Sequence, residues 1–252
     1  MIILALASGK ALAWGNQGHI VVVQVAKNQL AQYIIDSVNH YLNSMRWEQA
    51  ATWMNDVKKT SKYDYMLPWH SITIARDKTY VPSEYPNVVN RIEHCMTILK
   101  SRALHSREEV ATCLKVLFHL VGDLHQPLNC GYPDDRGGKR VEVDFLGRRT
   151  NLYKVWEFEI IETEHVDQWD GAKVNLAMNK ADIAEIKYGN VADWLDESRL
   201  ALDQVYDFKY GMITREYINK NKPLIAKLLV KAGMRLANLL NSCFRTASRT
   251  AF

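Results

Sequence analysis

Residues 106–129 read SREEVATCLKVLFHLVGDLHQPLN, and this stretch decides the fold. Ser106 followed three residues later by Glu109 is the pattern of a capping box at a helix start. The apolar run VLFHLVGDL then carries His119 and Asp123 four residues apart, which places both on one helical face. Burying either side chain without a partner costs several kcal/mol, so something inside the protein must satisfy them. A buried His–Asp hydrogen bond does so, and so does a metal ion. Taken alone, the pair favours the hydrogen bond.

The flanking segments read the same way. EYPNVVNRIEHCMTILKSRAL (84–104) predicts a helix before this one. HIVVVQVAKNQLAQYIIDSVNHYL (19–42) has apolar residues at helical spacing, although its valine run also suits a strand. NKPLIAKLLVKAGMRLANLLNSCF (221–244) is strongly amphipathic, with Leu224, Leu228, Leu229, Ala232, Leu236 and Leu240 as its apolar stripe. Against this helical background stands a Gly-, Pro- and Asp-rich loop, CGYPDDRGGKR (130–140). It is followed by VEVDFLGRRTN (141–151), whose Val141/Val143/Phe145 alternation and Gly147 predict a short hairpin. No repeat or low-complexity linker interrupts the chain. The expectation is an all-α single domain, residues 14–252, with one small β-hairpin.

The 252 residues are 48% apolar and 24% charged. A chain of that length and composition is enough to bury one large core. A net charge of +4 suits a polyanionic substrate without being evidence for one. No apolar stretch after the leader is long enough to span a bilayer. The opening MIILALASGKALAWG resembles the end of a secretory signal, with an A-x-A site that predicts removal of residues 1–13 after Ala13. A soluble, exported bacterial protein, secreted or periplasmic, is the expectation. Cys95, Cys113, Cys130 and Cys243 would then meet an oxidising compartment, where two disulfides in any of three connectivities can form. No pair has CxxC spacing, which argues against a structural zinc ribbon.

His19 and His70 are unremarkable singly. Zinc needs three or four N and O donors converging from separate elements. WGNQGH (14–19), ATWMND (51–56), PWHSI (68–72), HLVGDLHQPLN (119–129), DRGG (135–138) and TNLYKVWE (150–157) occur in this order over nearly the whole mature chain. Together they resemble the single-strand-specific zinc nucleases of the S-one/P-one type, which are related to zinc-dependent phospholipase C. That resemblance implies an α-helical secreted protein that hydrolyses phosphodiesters of single-stranded DNA and RNA and removes 3'-phosphates from nucleotides, with three zincs per chain. It implies Trp14, through a freed amino terminus, with His19 and Asp123 on one zinc. His70, His119 and the shared Asp123 fall on a second, and these three are the implied catalytic set. Glu157 falls at the third.

The departures from the family pattern matter as much. Asn55 stands where the family has an aspartate ligand, with Asp56 next to it as the candidate substitute. Asn129 and Tyr153 stand where it has histidines. Lys58, Ser71 and Lys139 occupy substrate-contacting positions that carry Arg, an aromatic residue and Asn. An amide is a neutral, poor zinc ligand, and tyrosine binds only if it ionises from a pKa near 10. At most one or two zincs are therefore expected, with weakened hydrolysis. The implied partners are single-stranded nucleic acid or 3'-nucleotides, acted on by a monomer. The alternatives are a non-catalytic paralogue that keeps one or two zincs and binds nucleic acid or protein, and a phospholipase C-like hydrolase.

Overall fold

The computed structural model describes residues 14–167, 183, 186 and 188–245. The leader expected at 1–13 lies outside the described residues. Helices dominate the rest: α1 (Asn16–Asn28), α2 (Gln32–Leu42), α3 (Trp47–Val57), a 3-10 helix (Ser61–His70), α4 (Val88–Lys100), α5 (Arg107–Leu124), α6 (Val191–Leu200) and α7 (Arg215–Phe244). The expected hairpin forms from β1 (Glu142–Phe145) and β2 (Arg148–Asn151). A two-residue strand, β3 (Met212–Ile213), joins β1 in parallel, an addition that so short a segment did not announce.

Helix α5 runs through the centre. Eleven of its last twelve residues, Cys113–Leu124, are buried, so His119 and Asp123 lie deep inside and not at a solvated face. It packs against α3, α4 and α7, while α1 lies on α7 and α3. The α1–α7 crossing is close because residue 233 has no side chain: a Cβ there would stand 2.5 Å from Val25 Cβ and 2.8 Å from the Val22 carbonyl. Small residues at such a crossing let two backbones approach and bury the valine run of α1, which is why that run is helical and not extended.

Four expectations need correction. Residues 19–42 form two helices, broken at Gln29–Ala31, which lets Ile34, Val38 and Leu42 turn their own stripe inward. The Ser106 hydroxyl accepts the Glu109 N–H (3.2 Å), but the reciprocal half of the box is missing because the Glu109 carboxylate pairs with His105 (3.1 Å). The final helix starts at Arg215, capped by the Thr214 hydroxyl, and continues through Pro223. All four cysteines are buried free thiols, without either disulfide. Cys95 and Cys113 lie in thiol–thiol contact between α4 and α5, and the Cys130 thiol donates to the Leu124 carbonyl.

Candidate metal centre

Asp123 is the hub. Its carboxylate is fully buried and meets histidines from three elements. His70 Nδ1 donates to Oδ2 at 2.7 Å from the end of the 3-10 helix, His119 Nε2 lies 3.4 Å from Oδ2, and His19 Nε2 of α1 lies 3.4 Å from Oδ1. The His19 and His119 rings stack at 3.8 Å, and the His70 ring stands edge-on to His119 at 5.0 Å. His119 Nδ1 donates to the Ala51 carbonyl at 2.8 Å. That oxygen can only accept, so the proton is fixed on Nδ1 and the Nε2 lone pair points at the cluster. This is the support that metal-bound histidines usually receive from their surroundings.

Elementary solvation argues that such a cluster does not stand alone. His70 Nε2, His119 Nε2, Asp123 Oδ1 and Glu157 Oε1 are all buried without a hydrogen-bond partner. Ligand atoms of His19, His119 and Asp123 lie within 4.8 Å of one another. Burial pushes the Asp123 carboxyl up to about 7, against the pull of His19, Lys58 and Lys139, and the Glu157 carboxyl up to about 8. Burial also drives His119 and His70 well below the ordinary imidazole range, with cationic neighbours adding to it. Neutral imidazoles beside a buried carboxylate, with unused lone pairs, are the donor set zinc takes. The residues present fit a metal here.

The third subsite is built differently. Asn129 and Tyr153 are buried against each other, the Tyr153 hydroxyl donating to Asn129 Oδ1 at 3.0 Å. Asn129 Nδ2 donates in turn to the Asp123 backbone carbonyl at 3.0 Å. The same hydroxyl is within hydrogen-bonding reach of Glu157, and burial with the two nearby carboxylates raises the phenol well above its ordinary value. Asn129 and Tyr153 thus pair with each other, and a neutral amide beside an un-ionised phenol does not fit a third zinc, although Glu157 Oε1 is left without a partner.

The remaining sequence candidates separate. Trp14 is fully buried, and the N–H of Gly15 donates to the Glu157 carbonyl at 2.6 Å, tying the start of the described chain to the centre. Asn55 is buried and donates to Asn16 Oδ1 at 3.0 Å, while its own Oδ1 has no partner. Asp56 does not substitute for it, since its side chain is 62% exposed and pairs with Lys59. One residue further along a helix points about 100° away, which sends this carboxylate to solvent. Lys58 is buried, its ammonium lowered by burial and held up by Asp123 and Glu157. Ser71 is half-buried in extended chain whose next N–H, at Ile72, donates to the Asn129 carbonyl at 2.8 Å. Lys139 is exposed, its Nζ 4.4 Å from the centre of the Tyr153 ring.

Two features escaped the sequence. A Cβ at Gly122 would stand 2.8 Å from His19 Nδ1, so this glycine makes room for the ring; glycine inside a helix one residue before Asp123 was the available signal. Asp135 accepts the Gly138 N–H (2.9 Å) and the Tyr206 hydroxyl (2.7 Å), shaping the RGG turn. Among the described residues no helix is long and apolar enough to cross a membrane.

The family model for S1/P1 nuclease matches residues 14–245. Endonuclease 2 of Arabidopsis thaliana is 24% identical, covering 96% of this chain and 94% of its own. Nuclease S1 of Aspergillus oryzae is 26% identical, with 94% of each chain covered. Endonuclease 3 of Arabidopsis thaliana is 24% identical over all of this chain and 95% of its own. Members of the matched family are zinc-dependent endonucleases acting on single-stranded nucleic acid. With a histidine–aspartate centre able to hold a metal and a match across the whole described chain, the protein belongs to the S1/P1 nuclease family.

Proposed function

We propose that this protein hydrolyses phosphodiesters of single-stranded DNA and RNA and removes 3'-phosphates, using at most two zincs. The observation that carries the reading is the single buried Asp123 carboxylate shared by His19, His70 and His119. In the proposed assignment Trp14, His19 and Asp123 hold one zinc, and His70, His119 and Asp123 hold the other. Zinc supplies Lewis acidity and a nucleophile available at neutral pH. The chain's own contributions are separate from that. Ala51 fixes the tautomer of His119, Lys58 offers a buried positive charge to a substrate phosphate, and Ser71 leaves the base position without an aromatic platform. Lysine keeps the charge of the family's arginine but loses its two-pronged hydrogen bonding.

Trp14 can chelate through its amino group only when nothing precedes it, so the reading includes export and cleavage after Ala13. The burial of Trp14, followed by the Gly15 N–H on the Glu157 carbonyl, supports this. The test is zinc content and hydrolysis of single-stranded DNA and 3'-AMP by protein beginning at Trp14. One or two zincs with measurable turnover is the expected result. Three zincs would overturn the incomplete centre, no zinc would overturn the assignment, and zinc without turnover would identify a non-catalytic paralogue.

A further inference from the structure

The residues at the third subsite are tied together by close backbone contacts, with a cation beside them. Gly137 and Gly138 have φ of +63° and +75°. A Cβ at residue 137 would stand 2.2 Å from the Leu128 carbonyl oxygen, so the RGG turn lies hard against the 127–130 turn that carries Asn129. The Tyr153 N–H donates to the Gly138 carbonyl at 3.3 Å, and Asp135 fixes Gly138 from the other side. Residues 129, 139 and 153 are thereby held in one arrangement by backbone contacts. Within it the Tyr153 hydroxyl is bound to Asn129, and the Lys139 ammonium lies over the Tyr153 ring at cation–π distance. Lys139 is exposed, faces the Glu157 and Asp123 charges, and is reachable by a substrate.

We propose that the Lys139 ammonium takes the place of a third zinc, so that Asn129, Tyr153 and Lys139 form a metal-excluding subsite that binds an oxygen of a phosphate group. Three departures from the family pattern then become one exchange. A divalent cation and its two imidazole ligands give way to a monovalent cation and a neutral hydrogen-bonded pair that needs no metal. Glu157 keeps a positive neighbour either way. A zinc at this subsite and the Lys139 charge exclude each other because they compete for the same carboxylate, Glu157, with Asn129 and Tyr153 both neutral.

The inference rests on the phosphodiesterase reading only for what the phosphate belongs to. Its test uses zinc content, and affinity for inorganic phosphate, of the full zinc-equilibrated chain. Lys139→Asn should leave the zinc number unchanged and weaken phosphate binding about 10- to 100-fold, as for loss of a charged hydrogen bond. Lys139→Arg should retain the binding. Asn129→His/Tyr153→His should gain no zinc while Lys139 is present, and adding Lys139→Asn should let it gain one. Unchanged phosphate affinity in Lys139→Asn, or a further zinc taken up with Lys139 in place, would overturn the inference. Should every form fail to cleave DNA while these results hold, the phosphodiesterase reading falls and the exchange stands.

Discussion

Adding one methyl group at Gly122 isolates how the centre is held. By helix propensity alone, Gly122→Ala in the last turn of α5 stabilises by up to about 1 kcal/mol. The structure reverses that sign. The new Cβ would sit 2.8 Å from His19 Nδ1 and 3.2 Å from Cε1, where ordinary contact begins at 3.4 Å, so the ring must retreat by about 0.6 Å. Its movement is limited because the same ring stacks on His119 at 3.8 Å. Overpacking of this kind costs about 1–3 kcal/mol, which cancels or exceeds the propensity gain. The effect on metal is larger in consequence, since zinc–ligand distances tolerate only about 0.2 Å. Displacing His19 is expected to weaken zinc binding about 10- to 100-fold, the loss typical when a ligand's support is disturbed. Zinc affinity is read by competition with a chromophoric chelator, and stability by denaturant titration of the metal-free protein. An alanine variant that binds zinc as tightly as the wild type would refute the placement of His19 in the centre, whatever its stability.

Other perturbations separate the remaining claims. Gly233→Ala drives a Cβ to 2.5 Å from Val25 Cβ. It should destabilise the fold by about 1–3 kcal/mol with zinc binding intact once folded, and an unchanged denaturation midpoint would contradict the close α1–α7 crossing. Asn55→Asp restores a carboxylate beside the centre and is expected to tighten zinc binding while lowering metal-free stability, both readable by the same two assays. Titration with a thiol reagent after denaturation, without reductant, should find four thiols per chain, and very slow reaction when folded. In the metal-free protein the carboxyls of Asp123 and Glu157 stand at about 7 and about 8, against ordinary values of 3.8 and 4.5. The folded state therefore holds these protons more tightly than the unfolded chain. Their contribution is fully present below the ordinary values and is lost as pH rises through about 7 to 8. Denaturation midpoints measured with chelator should fall from the ordinary values of 3.8 and 4.5 up to about 8 and level off above it, and a flat profile would show that the two carboxyls are not buried as described.

How far the site could be read from the chain depended on what kind of order held each part. The α5 and α7 helices follow from local periodicity, and the hairpin from alternation around Gly147, because one element carries its own signal. The gathering of His19, His70 and His119 on Asp123 does not. Those residues are up to 104 positions apart, and only the resemblance joined them before the fold did. Asp56 looked like a substitute for Asn55 in one dimension, yet helical geometry sends it to solvent. The half-formed cap at Ser106 failed for a comparable reason, since His105 competes for Glu109. The disulfide expectation rested on compartment chemistry, which does not depend on whether thiols meet.

The substitutions at Asn129 and Tyr153 show why a ligand position is better judged by its neighbours than by its residue type. As isolated changes they subtract two imidazoles and leave buried polar groups, each costly if unpaired. In the fold the two pair with each other, and the spare amide hydrogen goes to the carbonyl of Asp123 itself, one residue's backbone serving the third subsite and its side chain the hub. The replacement is thus complete in hydrogen bonds, which random loss of a metal would not produce. What it lacks is the metal's charge, and the only exposed cation lying on that pair among the described residues is Lys139. A centre that had merely decayed would show unsatisfied atoms at Asn129 and Tyr153. Instead, the unsatisfied atoms nearest the hub include His70 Nε2, His119 Nε2 and Asp123 Oδ1, the atoms of the proposed zinc ligands.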